Sequence, residues 1–145
     1  MSGKTISQLT IGDRAEARRA FTAEDVLAFA QLTGDKNPAH LDEAYASTTM
    51  FKTRIAHGML VAGLFSALLG MELPGLGTIY TGQTLKFTKP VYLNETITAS
   101  ITVKDINVER GRVVFDCLAV NDKGETVIVG EATVMPPRDQ KKEDA

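Results

Sequence analysis

The chain has 145 residues and a formal net charge of −2, with 43% hydrophobic and 23% charged residues. This length and composition fit one globular domain with a single hydrophobic core. A slightly acidic chain has no general electrostatic attraction to nucleic acid or to an anionic membrane, so we expect neither as a partner. The single cysteine, Cys117, excludes an intrachain disulfide and lies in an apolar run typical of a core residue.

The first half of the sequence is predicted to be mainly helical. Thr22, followed three residues later by Asp25, indicates the start of a helix that ends near Gly34. A short helix is expected over residues 42–48. Residues 58–70 are apolar on every side, which predicts a helix that is buried all round.

The second half shows the two-residue alternation of half-buried strands. Strands are predicted over residues 84–88, 96–103, 113–120 and 126–135, with turns at residues 109–111 and 121–124. We therefore expect an α+β fold in which a long central helix is wrapped by a curved antiparallel sheet, a three- or four-strand meander. Residues 1–135 would form this single domain. The charged, proline-led residues 136–145 would form a flexible C-terminal tail.

The sequence shows no sign of export or membrane insertion. The first ten residues are polar and lack the apolar segment of a secretory signal. The longest apolar stretch, residues 59–69, is too short to span a bilayer. A cytoplasmic location is the default expectation.

Asp35 and His40 lie in and just after the segment that follows the first helix. Asp35, Asn37 and Pro38 are also ordinary turn residues, and a lone histidine is commonly structural. A turn between Asp35 and His40 could nevertheless bring a carboxylate and an imidazole to one point. Such a pair can hold one water molecule and transfer its protons, which is the chemistry needed to add water across a double bond.

Two further features belong to the apolar helix. His57-Gly58 marks its start, where the unpaired N–H groups of the first turn can polarise a carbonyl oxygen. A simple helix boundary would also account for this pair. Ser66 is the one hydroxyl inside the apolar run, and its ordinary role would be a hydrogen bond to the carbonyl four residues earlier.

Other chemistries find little support. A metal site built from His40, Asp42 and His57 matches no standard ligand spacing, so we expect no metal. The glycines at 75, 77 and 82 do not form a dinucleotide-binding fingerprint, and we expect no cofactor. The nucleophile-elbow pattern of α/β-hydrolases does not occur.

The segment Gly-Asp-Lys-Asn-Pro-Ala-His-Leu-Asp at residues 34–42 resembles the signature of MaoC-like dehydratases and R-specific enoyl-CoA hydratases. Ile-Ala-His-Gly-Met-Leu at residues 55–60 matches the start of that family's central helix. The similarity continues through Leu64-Phe65-Ser66, Ile79-Tyr80 and Leu85-Lys86-Phe87, and covers nearly the whole chain except its last ten residues.

This resemblance implies a hot dog fold and a homodimer with sheets joined edge to edge. It assigns catalysis to Asp35 and His40, with Asp35 favoured as the base and His40 as the proton donor, and it makes the backbone of Gly58 the oxyanion donor. The substrate-binding residues it implies are Asn37, which supports the site, together with His57 and Ser66. Leu69 and Val134 are candidates for lining the acyl tunnel, although both could simply be core residues.

The function implied is reversible hydration of trans-2-enoyl-CoA to (R)-3-hydroxyacyl-CoA, with short acyl groups favoured. A 3-hydroxyacyl-ACP dehydratase would share the chemistry and differ in its carrier. A hot dog thioesterase and a non-catalytic acyl-thioester binding module are two further functions that this fold could serve.

Overall fold

The computed structural model describes residues 3–139. Its helices are α1 (Ala23–Thr33), α2 (Pro38–Leu41), α3 (Glu43–Ala46) and α4 (Gly58–Met71). Its strands are β1 (Arg14–Ala20), β2 (Ile79–Phe87), β3 (Thr96–Asn107), β4 (Arg112–Val120) and β5 (Thr126–Met135). A short 3₁₀ helix, Ile6–Gln8, precedes β1. The α+β class is confirmed.

Within these residues the strands form one antiparallel sheet in the order β1-β3-β4-β5-β2. The consecutive strands β3, β4 and β5 form the expected meander. The strand β2 does not pair with β3, its successor in the chain, but with β5. The strand β1 was not predicted, and it brings the sheet to five strands instead of three or four.

The core lies between α4 and one face of the sheet. The helix buries Val61, Phe65 and Leu68, while alternate residues of β3 and β4 approach zero exposure from the other side. Each buried Leu, Ile or Phe side chain in such a core contributes about 1.5–3 kcal/mol relative to exposure. This packing fixes the position of the N-terminus of α4, where the candidate site lies.

The expectation that α4 is buried on all sides is wrong for the single chain. Met59 and Met71 are 60% and 70% exposed, and Gly63, Ser66 and Ala67 between them are also exposed. These residues recur at helical spacing and form one face of α4. The helix therefore presents an apolar face that the sheet does not cover.

The chain after β5 leaves regular secondary structure. Pro136 is buried, and the Ser7 hydroxyl donates a hydrogen bond of 2.6 Å to Asp139. Residues 140–145 lie outside the described residues, so the division into a domain and a flexible tail stays a prediction. None of the helices described over residues 3–139 is long and apolar enough to cross a membrane.

Candidate active site

The loop that carries Asp35 is fixed by the ends of two helices. The helix α1 begins with a reciprocal capping box between Thr22 and Asp25 and ends at Gly34, whose φ of 84° is a left-handed conformation that favours glycine. Asn37 caps α2 by accepting a hydrogen bond of 3.0 Å from the Ala39 N–H. Asp35 Oδ1 lies 3.4 Å from the Asn37 nitrogen and accepts its N–H. The predicted supporting role of Asn37 therefore has a local basis in this turn.

His40 lies on α2 with its ring held by the backbone. Its Nδ1 is 2.7 Å from the carbonyl oxygen of Ile55. Because a carbonyl oxygen only accepts, Nδ1 carries the proton of this hydrogen bond. The other ring nitrogen, Nε2, is therefore the atom that His40 can offer to a ligand.

His57, the residue before α4, packs against both parts of this arrangement. Its ring stacks on the His40 ring at a centroid distance of 3.9 Å and lies 4.7 Å from the Phe29 ring. Its Nε2 donates to the backbone oxygen of Asp35 at 2.9 Å. Only 2% of His57 is exposed, and this burial lowers the pKa of its imidazole, as does the neighbouring charge of His40.

The side chains of Asp35, His40 and His57 converge on one place. One polar atom from each lies within 4.8 Å of the others. A separation of this size between the Asp35 carboxylate and the His40 ring suits one water molecule hydrogen-bonded to both. The same three groups have metal-binding atom types, although one nitrogen of each imidazole is already hydrogen-bonded to a backbone carbonyl oxygen.

Gly58 is the first residue of α4. Among the hydrogen bonds of residues 3–139, none uses its N–H, as expected for the first turn of a helix. A Cβ at this position would lie 2.6 Å from two ring carbons of Phe87, so any other residue would displace that ring. Glycine therefore allows the Phe87 ring to pack closely against the start of α4.

A cavity of about 470 Å³ joins these groups. Asp35, His40, His57 and Gly58 line its polar end. The rest of its wall is mainly apolar and includes Met50, Phe51, Met59, Phe87 and Ile128, together with Thr88 and Lys89. A carboxylate, an imidazole and an unpaired N–H at one end of an apolar cavity can position water and polarise a carbonyl group.

Ser66 lies in a second cavity, of about 500 Å³, between α4 and β2. Tyr80 and Gln83 line it too, and the Tyr80 hydroxyl donates a hydrogen bond to Gln83. The Ser66 hydroxyl has no hydrogen bond to any described residue, so the back-bond along the helix that would be its ordinary role is not formed. Met59 lines both cavities.

Leu69 and Val134 lie in the hydrophobic core, at 1% and 0% exposure. Neither lines the two cavities described above. Cys117 is buried on β4, and burial raises the pKa of its thiol to about 11, so it is protonated at neutral pH as expected of a core residue. A tunnel-lining role for Leu69 and Val134 stays a prediction.

Sequence reasoning did not single out Phe87 and Met59. Phe87 is the last residue of β2, and only the β2–β5 pairing brings it beside α4. Met59 follows Gly58 directly. Because the helix is apolar on every side, its sequence does not indicate that Met59 is 60% exposed. Both residues bound the cavity next to the free N–H of Gly58.

The chain has a helix packed on an antiparallel sheet, with a carboxylate, an imidazole and an unpaired N–H at one end of a cavity. This fold and site are those of a thioester hydratase or dehydratase. The model of the MaoC like domain matches residues 8–122, so this chain belongs to the MaoC-like family. The predicted hot dog fold is confirmed by its similarity to solved hydratase structures of that family.

Three relatives define the similarity. An (R)-specific enoyl-CoA hydratase of Rhodospirillum rubrum is 49% identical over 128 residues, 87% of each chain. A 3-hydroxybutyryl-CoA dehydratase of Methylorubrum extorquens is 43% identical over 94% of this chain and 85% of its own. The solved structure of the (R)-hydratase from A. caviae involved in PHA biosynthesis has a TM-score of 0.87 at 42% identity, over 89% of this chain and 98% of that one.

Proposed function

We propose that this protein catalyses the reversible hydration of trans-2-enoyl-CoA to (R)-3-hydroxyacyl-CoA. The observation that carries the proposal is the meeting of Asp35, His40 and the unpaired Gly58 N–H at one end of an apolar cavity. The R configuration is supported by the relatives named as (R)-specific hydratases.

The thioester conjugates with the double bond, so C3 is electrophilic and negative charge develops on the carbonyl oxygen during attack. The Gly58 N–H, at the positive end of the α4 dipole, would donate to that oxygen. One such donor is typically worth about 3 kcal/mol of transition-state stabilisation.

The water molecule would lie between Asp35 and His40. The Asp35 carboxylate takes one proton as the water oxygen bonds to C3. Protonated His40 gives its Nε2 proton to C2 on the same face, since its Nδ1 remains bonded to Ile55. Transfer of the first proton from Asp35 to His40 then restores the starting state, so one water has been added and no proton is gained or lost.

Short acyl chains are the favoured substrates. The Methylorubrum extorquens relative is named for a four-carbon substrate, 3-hydroxybutyryl-CoA. The A. caviae relative is described as involved in PHA biosynthesis. Supply of (R)-3-hydroxyacyl-CoA to polyhydroxyalkanoate synthesis is therefore the proposed metabolic role.

We also propose that the protein is a homodimer joined through β2 and the exposed face of α4. The two edges of the sheet differ: β1 carries four charged residues among seven, whereas β2 carries only Lys86 among nine. Charged edge strands discourage pairing with another chain, and an almost uncharged edge permits it. The apolar face of α4 lies on the same side of the molecule as β2, because both line the second cavity.

The test is to incubate the purified protein with crotonyl-CoA and follow the loss of enoyl-thioester absorbance. The product is then resolved on a chiral column, with Asp35→Asn as the inactive control. Rapid formation of the R product supports the proposal. Release of free CoA would instead indicate a thioesterase, and activity restricted to the ACP-linked substrate would indicate the other carrier.

A further inference from the structure

His57 contacts every polar component of the site while offering almost no surface to a ligand. Its ring stacks on His40, its Nε2 donates to the Asp35 backbone, and its own backbone leads directly into Gly58. It is nevertheless only 2% exposed. Contacts of this kind are typical of a residue that holds functional groups in place.

One ring nitrogen of His57 is already hydrogen-bonded, and the other is shielded from solvent. The Nε2 atom is occupied by the Asp35 carbonyl, to which it must donate. The Nδ1 atom is buried and has no hydrogen-bond partner among the described residues. A substrate oxygen therefore finds no free polar atom on this ring.

We infer that His57 is a positioning residue that acts as a neutral imidazole, fixing the Asp35 backbone and the His40 ring relative to the Gly58 N–H. This inference rests on the proposed function and replaces the substrate contact that the sequence suggested for His57. The hydrogen bond sets the distance from α4 to the Asp35 loop. The stacking sets the plane of the His40 ring, and therefore the direction of its Nε2.

The surroundings favour the neutral ring. The groups that face His57 are His40 from α2, Asp35 from the preceding loop and the uncharged Phe29 from α1. A second proton would sit on the buried Nδ1, which has no acceptor among the described residues, beside the His40 ring, which carries a positive charge at the start of the proposed reaction. Burial lowers the pKa of His57 most, and the charge of His40 lowers it further, against the opposing effect of Asp35.

The tautomer can be measured without substrate. The chain has two histidines, so the imidazole NMR signals of the wild type are assigned by comparison with His40→Gln. We expect His57 to be in the neutral Nε2–H form at neutral pH, and its pKa to lie below the ordinary imidazole value because the ring is buried. A His57 signal that titrates near 6.5, or that shows the Nδ1–H form, would overturn the inference even if the enzyme proved to have another substrate.

Two variants then separate the hydrogen bond from the stacking. His57→Gln keeps an N–H donor and loses the ring, whereas His57→Phe keeps a ring and loses the donor. With crotonyl-CoA we expect His57→Phe to lower kcat by about 10–100-fold with KM within about twofold, since small displacements of catalytic groups have effects of this size. We expect the kcat of His57→Gln to be at least about fivefold higher than that of His57→Phe, because glutamine keeps the N–H donor.

Val61→Ala is the matched control, because Val61 is a buried residue on α4, one turn beyond His57, and does not line the cavity. It should lower the Tm without lowering kcat well below that temperature. A raised KM at unchanged kcat in the His57 variants would mean that His57 binds substrate. If kcat falls in proportion to the loss of Tm in all three variants, the role of His57 is structural. Either result overturns the inference, whereas an inactive wild type, with the expected NMR tautomer, would disprove only the proposed reaction.

Discussion

Asp35 and His40 are oriented by backbone groups, not by a direct contact between their side chains. Asp35 accepts from the Asn37 N–H, and His40 donates to the Ile55 carbonyl. Replacing either side chain by an amide of similar size should therefore leave the Asp35 loop and the helix α2 of His40 intact. This allows catalytic effects to be measured without a change of fold.

We expect Asp35→Asn and His40→Gln each to lower kcat by about 10²–10⁴. The kcat of the double variant should be only slightly lower than that of the less active single variant, because both groups hold one water molecule. Steady-state hydration of crotonyl-CoA measures all three, with circular dichroism as the control for folding. Near-normal activity in either single variant would mean that the catalytic assignment is wrong.

Gly58 and Phe87 form a second pair with a testable geometry. A methyl group at position 58 would lie 2.6 Å from the Phe87 ring, so Gly58→Ala must displace it. We expect a loss of about 1 kcal/mol in the free energy of unfolding, at the low end for overpacking because Phe87 is 52% exposed. We also expect kcat to fall about tenfold, as for a small misplacement of an oxyanion donor.

Adding Phe87→Ala to Gly58→Ala removes the overlap and should restore most of the stability. Urea unfolding and crotonyl-CoA hydration measure the two effects separately. Unchanged stability in Gly58→Ala would show that the ring moves freely away.

The buried His57 also gives stability a pH dependence. The pKa of His57 in the folded chain is lowered from the ordinary value of 6.5. Just below pH 6.5, His57 is therefore protonated more in the unfolded chain than in the folded chain. The contribution of His57 is fully present above about pH 6.5 and is lost as the pH falls toward the lowered folded value. As the pH falls below 6.5, the unfolding free energy of His57→Phe, measured by urea titration, should therefore decline less steeply than that of the wild type.

The grouping of Asp35, His40 and Gly58 at one place could be predicted from sequence because these residues occur in one short segment and at one helix start. Asp35 and His40 are five residues apart, and Gly58 follows a clear helix boundary. The contribution of Phe87 could not be predicted, since it depends on which strand β2 pairs with. The contacts of His57 likewise depend on the packing of α1 and α2 against α4.

At the scale of elements, the helix α1 was predicted accurately from its capping residues, whereas the edge strand β1 was not predicted. Local hydrogen bonds at Thr22, Asp25 and Gly34 fix the ends of α1, so its bounds agree with the prediction. The strand β1 has the sequence Arg-Ala-Glu-Ala-Arg-Arg-Ala, whose residues favour helices. Its extended form comes from pairing with β3 over seven residues, a tertiary contact that overrides local propensity.

The exposed face of α4 places Met59 between the two cavities. A flexible thioether at this position can separate the catalytic end from the space beside Ser66. We expect Met59→Ala to raise kcat/KM for an eight-carbon enoyl-CoA relative to crotonyl-CoA by about tenfold, a size typical of a few methylene groups. Met59→Leu is the size-matched control, and equal chain-length profiles for both variants would contradict this role.

At the scale of the whole molecule, the proposed dimer can be tested on α4. Ala67 is exposed on its apolar face, and Ala67→Glu would bury an unpaired charge if a second copy covers that face. We expect sedimentation to show a dimeric wild type and a monomeric variant with reduced activity. Leu32→Glu, at an 87% exposed position on α1, is the control that should remain dimeric. A fully active monomeric wild type would contradict the proposal.

The nearly uncharged edge of β2 has a consequence for the newly made chain. Until the proposed dimer forms, the unpaired backbone N–H and C=O groups of this edge can pair with a strand of any partly folded protein, which is a route to aggregation. Lys86 is the only charged side chain on that strand, so it is the only residue there whose charge opposes such pairing. If the chain dimerises as proposed, the charge at position 86 would therefore protect it during the interval between synthesis and assembly.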